Sequence, residues 1–162
     1  MKTFKIKETK KKTSEILAGM KKLFDVYSHY DDAKLDEDFP PPKKITTREF
    51  LYSVEPDPET LGKSTEEADP NQTGITLRER LLMEILYFKE TGNHLDIKGW
   101  TICSGSRGSD GGVPDVYWGS AYQRVNVYWY AADNSYSTSG FRQAVLPSTL
   151  KPLTLESDLE KR

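Results

Sequence analysis

The chain has 162 residues, enough for one domain, with a net charge of −2, 36% apolar residues and 30% charged residues. This balance implies no general attraction to nucleic acid, and no apolar stretch approaches the ~18 residues of a membrane-spanning helix. The single cysteine, Cys103, excludes an intramolecular disulfide, and no apolar segment typical of a secretory signal is present. We therefore expect a protein of the cytoplasm, or one that reaches a particle or surface by another route.

The N-terminal part predicts a charged leader followed by a helix. Residues 1–12 contain six lysines, which indicates a solvated basic leader rather than a nucleic-acid-binding arm. Between Thr13 and Tyr30, apolar residues recur at three- and four-residue steps, which is the pattern of an amphipathic helix. Thr13 or Ser14 is predicted to cap it.

The middle of the chain predicts one ambiguous segment, one loop and a second helix. Residues 45–54 fit a short helix, and the prolines and glycines of residues 55–75 predict a long ordered surface loop. The second helix is predicted from Leu77 to Thr91, with Thr76 opening a capping box and Gly92 as its left-handed C-terminal cap.

After the second helix the apolar pattern alternates, which predicts strands. Two helices followed by strands indicate an α+β domain with an antiparallel sheet, here residues 13–147, followed by a polar tail at residues 148–162. The predicted strands are Trp100–Cys103, Val113–Trp118, Arg124–Tyr130 and Gly140–Val145. The side chains predicted to face the core are Val113, Val116, Trp118, Val125, Val127, Trp129 and Phe141.

The segment from Asp115 to Arg142 has the composition of a recognition surface. It holds five of the nine tyrosines among Ser, Asn, Gly, Ala and Thr, and it contains no Lys or Glu. Antibody paratopes have this composition, because Tyr offers a large, stiff contact surface and small polar residues offer adaptable hydrogen bonds. The alternative is an ordinary half-wet sheet face rich in aromatic strand formers. The predicted ligand-binding residues are Tyr117, Ser120, Ala121, Tyr122, Asn126, Tyr128, Tyr130, Asn134, Tyr136 and Ser139.

The sequence predicts no catalytic or metal centre and no cofactor. The glycine-rich residues 105–112 lack the Lys-Ser/Thr pair of a phosphate-binding loop. His29, His94 and Cys103 do not have metal-ligand spacing, and Cys103 lies in an apolar strand where an inert buried thiol is expected. A calcium site built from non-contiguous carboxylates stays open as an alternative. We expect a binding protein rather than an enzyme.

The strand Gly140-Phe141-Arg142, preceded by a run rich in Ser, Asn and Tyr, resembles the C-terminal end of the variable proteins of diversity-generating retroelements. The resemblance covers roughly residues 76–145 and implies a C-type lectin fold related to the formylglycine-generating-enzyme type. Two main helices would pack on a small twisted antiparallel sheet, with a diversified segment at about residues 104–142. In that family, mutated template adenines yield residues such as Asn, Tyr, Ser, Asp, Thr, Ala and Gly, and Tyr130–Ser139 contains only members of this set.

The resemblance implies a receptor-type function. A hypervariable Tyr/Ser/Asn-rich surface would bind an unknown protein or surface ligand. The alternatives are a carbohydrate- or calcium-binding lectin-like module and an enzyme of the formylglycine-generating-enzyme type. The chain has one cysteine, so it lacks the cysteine pair of those enzymes, and residues 31–75 have no counterpart in the family.

Overall fold

A computed structural model describes residues 1–146 as an α+β fold with two sheets. The predicted polar tail, residues 148–162, lies outside the described residues. None of the helices in the described part of the chain is long and apolar enough to cross a membrane. The helices are Thr13–Lys21 (α1), Asp32–Asp38 (α2), Thr65–Ala68 (α3) and Leu77–Thr91 (α4), with a 3₁₀ turn at Pro58–Thr60. The strands are Thr3–Lys7 (β1), Val26–Ser28 (β2), Thr47–Leu51 (β3), Trp100–Ile102 (β4), Val113–Gly119 (β5), Arg124–Tyr130 (β6), Ser139–Phe141 (β7) and Ala144–Val145 (β8).

The larger sheet is mixed rather than antiparallel. Its five strands lie in the order β2-β6-β5-β4-β7, and the smaller sheet has the order β1-β3-β8. The central strands β4, β5 and β6 are antiparallel, but β2 runs parallel to β6 and β7 runs parallel to β4. The expectation of a purely antiparallel sheet is therefore wrong at both edges. Neither edge strand is connected to its neighbouring strand by a hairpin, so no tight turn requires the two strands to be antiparallel.

Helix α4 confirms the prediction at both ends. The Thr76 hydroxyl accepts the Glu79 amide at 3.1 Å, and the Glu79 carboxylate accepts the Thr76 amide at 3.0 Å. Gly92 has a φ of 73° and donates its amide to the Phe88 carbonyl at 2.7 Å. Leu81 packs in the core under the five-stranded sheet, whereas Met83 packs in the core of the three-stranded sheet. This helix therefore joins the two sheets.

The first predicted helix is too long. Helix α1 ends at Lys21, and residues 26–28 form strand β2, which pairs with residues 125–127 of β6. Apolar spacing alone does not separate a helical turn from a short edge strand, and the pairing with β6 decides it. The capping prediction is also wrong, because the Thr13 hydroxyl donates to the Phe39 carbonyl and the Ser14 hydroxyl donates to Asp36 at 2.6 Å.

The predicted leader and the predicted short helix both form strands of the smaller sheet. Phe4 and Ile6 are buried, and β1 pairs with β3 so that Phe4 lies opposite Phe50. Lys5 and Lys7, which alternate with them, point to solvent, which is the alternation of a strand with one buried face. Residues 3–7 are therefore part of the folded domain, and Thr47–Leu51 is a strand because β1 pairs along its whole length.

The five-stranded sheet buries one face against the helices. Val116, Val125 and Val127 pack against Leu17 of α1 and Leu81 of α4. Burial of such side chains stabilises the fold by about 1.5–3 kcal/mol each. The opposite face has two halves, and only one of them is covered by another segment.

One half of the opposite face is covered by residues 55–69, which we call the covering segment. The Asp57 amide donates to the Phe141 carbonyl at 3.1 Å, and the Thr65 amide donates to the Ala132 carbonyl at 3.1 Å. Ala68 packs against a buried cluster that this segment closes. The cluster is Ile102, Val113, Tyr130 and Phe141. The loop predicted at residues 55–75 is therefore ordered because it is a layer of the fold.

Candidate functional site

The uncovered half of the same sheet face carries a row of aromatic rings across four adjacent strands. Tyr27 of β2 lies 5.3 Å from Tyr128 of β6, measured between ring centroids. Tyr128 lies 6.0 Å from Tyr117 of β5, and Tyr117 lies 5.5 Å from Trp100 of β4. These are the separations of favourable aromatic pairs. We call Tyr27, Trp100, Tyr117 and Tyr128 the aromatic platform.

The platform is accessible and continues into the β6–β7 connection. Trp100, Tyr117 and Tyr128 are half-buried, and Tyr27 is exposed. Tyr136 is 50% exposed and its ring lies 5.5 Å from that of Trp100. Six aromatic rings, from Tyr27 to Tyr130, thus form one connected chain across the sheet face. Pre-stacked rings lose little conformational entropy when a ligand binds them.

An open cleft of about 290 Å³ follows the platform. One wall is the β5–β6 turn with Ser120, Ala121 and Tyr122, and the other wall is formed by residues 96–99. Tyr117 lies between these walls. This volume is near the lower end of small-ligand sites. The cleft therefore suits one ring or one side chain of a larger ligand.

A cation is fixed at the edge of the cleft. The Arg124 guanidinium lies 4.7 Å from the ring centroids of both Tyr27 and Tyr122. Its Nε donates to Asn126 Oδ1 at 3.0 Å, and Asn126 Nδ2 donates to the Arg124 carbonyl at 3.2 Å. A Cβ atom at Gly119 would lie 2.4 Å from Asn126 Nδ2, so a larger residue at position 119 would clash with the Asn126 side chain. Asn126 therefore supports Arg124 rather than contacting a ligand.

Asp115 lies on the same sheet face, in the register position opposite Tyr128. Its side chain is buried, and its Oδ1 atom has no hydrogen-bond partner among the described residues. Burial raises the pKa of Asp115 to about 7. Burial also raises the pKa of Tyr117, with smaller contributions from Tyr128 and Asp115. The sheet beneath the platform therefore holds an acid that changes charge near neutral pH.

A buried ion network fixes the wall at residues 96–99. Asp96 adopts a positive φ of 54°, and its Oδ2 accepts Arg80 Nη2 at 2.8 Å and the Thr101 hydroxyl at 2.6 Å. Its Oδ1 accepts Arg142 Nη2 at 2.6 Å, and Arg142 Nη1 also donates to the Ser53 carbonyl at 2.7 Å. Arg142 is the last residue of the Gly-Phe-Arg strand on which the resemblance rests. The network joins α4, β4 and the connection between β7 and β8, so these three parts of the fold hold the wall in place.

Most of the predicted ligand-binding residues gather at this site. Six of the ten line the cleft, namely Tyr117, Ser120, Ala121, Tyr122, Asn126 and Tyr128. Tyr136 joins them through its contact with Trp100, and Asn134 is exposed in the β6–β7 connection.

Three of the ten do not have the predicted exposure. Tyr130 is 3% exposed, Ser139 is fully buried, and their hydroxyl groups are hydrogen-bonded at 3.0 Å. The covering segment buries both of them. Asn126 is 2% exposed because the Arg124 side chain and Gly119 enclose it. The prediction of outward-facing side chains is therefore wrong at these positions.

The predicted core-facing set also needs three corrections. Trp129 is 41% exposed, because its side chain lines a second open cleft together with His29 and Lys34 of α2. Val113 and Phe141 are buried, but on the platform side of the sheet and beneath the covering segment. Alternation assigned faces along β6 correctly, but it carries no information on where a covering layer ends.

Three residues of the site are not among the predicted ligand-binding residues, namely Arg124, Trp100 and Tyr27. Arg124 lies on the same face of β6 as Tyr128, so the alternation of side chains along this strand already indicated that Arg124 faces the platform side. Trp100 is distant from both Tyr117 and Tyr136 in the sequence, and only the tertiary structure brings these rings together. Tyr27 was hidden because the apolar spacing around it predicted a helix.

Other candidate chemistry lies away from the platform. Cys103 is fully buried, and burial raises the pKa of its thiol far above the usual range. A protonated, enclosed thiol is a poor nucleophile. Between residues 1 and 146, no three His, Cys, Asp or Glu side chains form a group that could hold a metal ion.

Comparisons of the chain with protein-family models, with curated proteins and with solved structures gave no match.

Proposed function

We propose that this protein is a receptor-type ligand-binding protein on a C-type-lectin-like scaffold, whose segment at about residues 104–142 is diversified by a retroelement. Its ligand, a protein or another surface molecule, would bind the aromatic platform. The observation that carries the proposal is the platform itself: Tyr27, Tyr128, Tyr117 and Trp100 form an ordered row of rings on a face that the covering segment leaves open.

The platform offers a large contact area that is already ordered. An exposed apolar patch on a monomer surface costs solubility, and it commonly marks a binding site. Tyrosine and tryptophan provide large contact areas with only two side-chain torsions to fix. On the platform these torsions are already restricted by the neighbouring rings, so ordering the side chains costs less conformational entropy when a ligand binds.

The platform also divides in the way that diversification requires. Tyr117 and Tyr128 of the platform lie in the predicted diversified segment, as does Tyr122 of the neighbouring β5–β6 turn, and tyrosine is a residue that mutated template adenines yield. Trp100 and Tyr27 lie outside this segment and would be constant anchors. The proposal therefore expects the tyrosines to vary between copies while Trp100 stays.

A matched pair of variants tests the binding site. Tyr128 and Trp129 are adjacent, both carry accessible aromatic rings, and they point to opposite faces of β6. Ligands would be selected with the full chain from a displayed-peptide library and a glycan array. Tyr128→Ala is expected to weaken binding by about 2 kcal/mol, roughly 30-fold, if the ring is a hot spot. Trp129→Ala should leave binding within about twofold of the wild type.

Equal losses in both variants, or a loss only in Trp129→Ala, would contradict the proposed site. Thermal unfolding of each variant provides the folding control. Diversification has a separate test in the DNA. A nearby repeat that is almost identical to the coding segment, differs mainly at adenines and lies beside a reverse transcriptase gene is the expected finding.

A carbohydrate is the second candidate ligand, and the cleft of about 290 Å³ beside stacked rings favours it. The C–H face of one sugar ring would stack on Tyr117 and Tyr128, while Ser120 offers a polar edge. Because no metal-holding group lies within residues 1–146, glycan binding is expected to persist in chelator. A melting temperature that rises with calcium would support the calcium-dependent alternative instead.

A further inference from the structure

The Arg124 side chain is held in a fixed position at the edge of the platform. Its guanidinium carbon lies 4.7 Å from the ring centroids of both Tyr27 and Tyr122, which belong to β2 and to the β5–β6 turn. Its Nε donates to the buried Asn126 side chain. The contacts with two rings and the hydrogen bond at Nε leave the two terminal amino groups available to a ligand. Such stacking keeps an arginine oriented at little further entropic cost.

These terminal amino groups have no acceptor among residues 1–146. By contrast, four other arginines each form an ion pair with a carboxylate. They are Arg48, Arg78, Arg80 and Arg142. Asp25 lines the adjoining cleft together with Arg124, but the two side chains do not form a salt bridge. Arg124 is thus an oriented cation without a protein counter-ion in the described part of the chain.

Two lysines lie near Arg124, although the whole chain is slightly acidic. Lys98 lines the same cleft, and Lys21 lines the adjoining one together with Asp25. Asp96 also lines the cleft, but its carboxylate is already paired with Arg80 and Arg142. Asp115 lies beneath the platform, and burial disfavours its charged form. Arg124 and the two lysines therefore give the two clefts more positive charge than unpaired negative charge, which favours an anion beside the aromatic platform.

We propose that the ligand of the aromatic platform carries a carboxylate, which Arg124 binds through its terminal amino groups while the adjoining ring or apolar part stacks on Tyr128 and Tyr117. This inference rests on the proposed function and names the chemistry of its ligand. The planar fork of an arginine matches a carboxylate in a bidentate pair, and such charge-assisted bonds are about twice as strong as neutral ones. The carboxylate has two possible sources, an acidic sugar or an acidic group of a peptide.

Paired probes separate charge from shape. The full chain would be titrated with D-glucuronate against D-glucose, and with N-acetylphenylalanine against its amide, while amide and indole NMR shifts are followed. The acid of at least one pair is expected to bind about tenfold or more tightly than its neutral partner, with shifts at Trp100 and Gly119. The pair that shows this preference identifies the source as sugar or peptide. The preference should weaken as salt is added.

Three variants assign the preference to Arg124. Arg124→Gln keeps a side chain able to contact Asn126 but removes the charge, and it is expected to abolish the preference for the acid. Arg124→Lys retains charge without the planar fork, and it should keep only part of the preference. Lys5→Gln removes the same charge from an exposed position on the other sheet and should change nothing.

Acids that bind no better than their neutral partners at millimolar concentration, or that do not bind, would overturn the inference. So would a preference for the acid that survives in Arg124→Gln. Peptides or glycans that need Tyr128 but contain no carboxylate would also overturn it, and in that case the proposed function would stand. A selection in which Tyr128→Ala has no effect would instead remove the proposed function itself.

Discussion

Two halves of one sheet face show how the same strand pattern can serve a core or a surface. On the covered half, Val113 and Tyr130 lie opposite each other on β5 and β6 and are buried. On the open half, Tyr117 and Tyr128 project from the same strands in the same direction and remain accessible. The difference lies outside the sheet, because residues 55–69 pack over one half only.

Two tyrosines that are two positions apart therefore have different roles. Tyr130 donates to or accepts from Ser139 at 3.0 Å inside a closed cluster, so it contributes to stability. Tyr128 stacks on Tyr27 and Tyr117 with its ring accessible to a ligand. Burial therefore decides which tyrosines of this sheet face can contact a ligand.

The largest expected contrast is between truncations in the two halves. Phe141→Ala removes a fully buried ring from the covered half and should lower the free energy of unfolding by about 3–5 kcal/mol. Tyr128→Ala on the open half should lower it by about 1 kcal/mol or less. Urea denaturation measures both values. Similar losses from the two variants would mean that the open half is also core.

The charge of Asp115 provides a pH-dependent contrast. Burial raises its pKa from 3.8 to about 7, so the folded state binds the proton more tightly than the unfolded state. The protonated Asp115 therefore contributes to the free energy of unfolding below about pH 4, and this contribution is lost as the pH rises to 7. It amounts to about 4 kcal/mol at ~1.36 kcal/mol per pKa unit. Asp115→Asn should remove this pH-dependent decrease in the free energy of unfolding, as measured by denaturation between pH 4 and pH 8. A fall of the same size in the variant would contradict this origin.

A smaller effect is expected where the covering segment touches the sheet. A Cβ atom at Gly140 would lie 2.8 Å from Pro56 Cβ and 3.0 Å from Leu61 Cδ2. Gly140→Ala should therefore displace the segment and lower the free energy of unfolding by about 1–3 kcal/mol. Faster hydrogen exchange at residues 57–65, with little change at Tyr117, is the expected pattern. Gly19→Ala is the control, because no atom lies within 4 Å of a Cβ built there.

The smallest contrast concerns single hydroxyl groups. Tyr130→Phe removes the buried hydrogen bond to Ser139 and should lower stability by about 1 kcal/mol. Tyr128→Phe keeps the stacked ring of the platform and should leave stability within about 0.5 kcal/mol. Thermal unfolding can separate the two variants. Equal shifts in melting temperature would show that the Tyr130 hydroxyl contributes nothing particular to the covered half.

Local sequence determined the elements whose stabilising contacts are local. Helix α4 was predicted with both ends, because Thr76, Glu79 and Gly92 satisfy terminal backbone groups within a few residues. Strands β4, β5 and β6 were predicted from alternation, and the same pattern placed Arg124 and Tyr128 on one face. The aromatic composition of the recognition segment was likewise visible in the chain.

Only the tertiary structure decided which of those side chains are accessible and which rings meet. Strand β2 exists because β6 offers it an edge, and this edge brings Tyr27 to Tyr128 from about 100 positions away. The covering segment buries Tyr130 and leaves Tyr117 open, although nothing in β5 or β6 signals the boundary. The physical reason is that burial is a property of the segments that pack on a strand, and here those segments are distant in sequence.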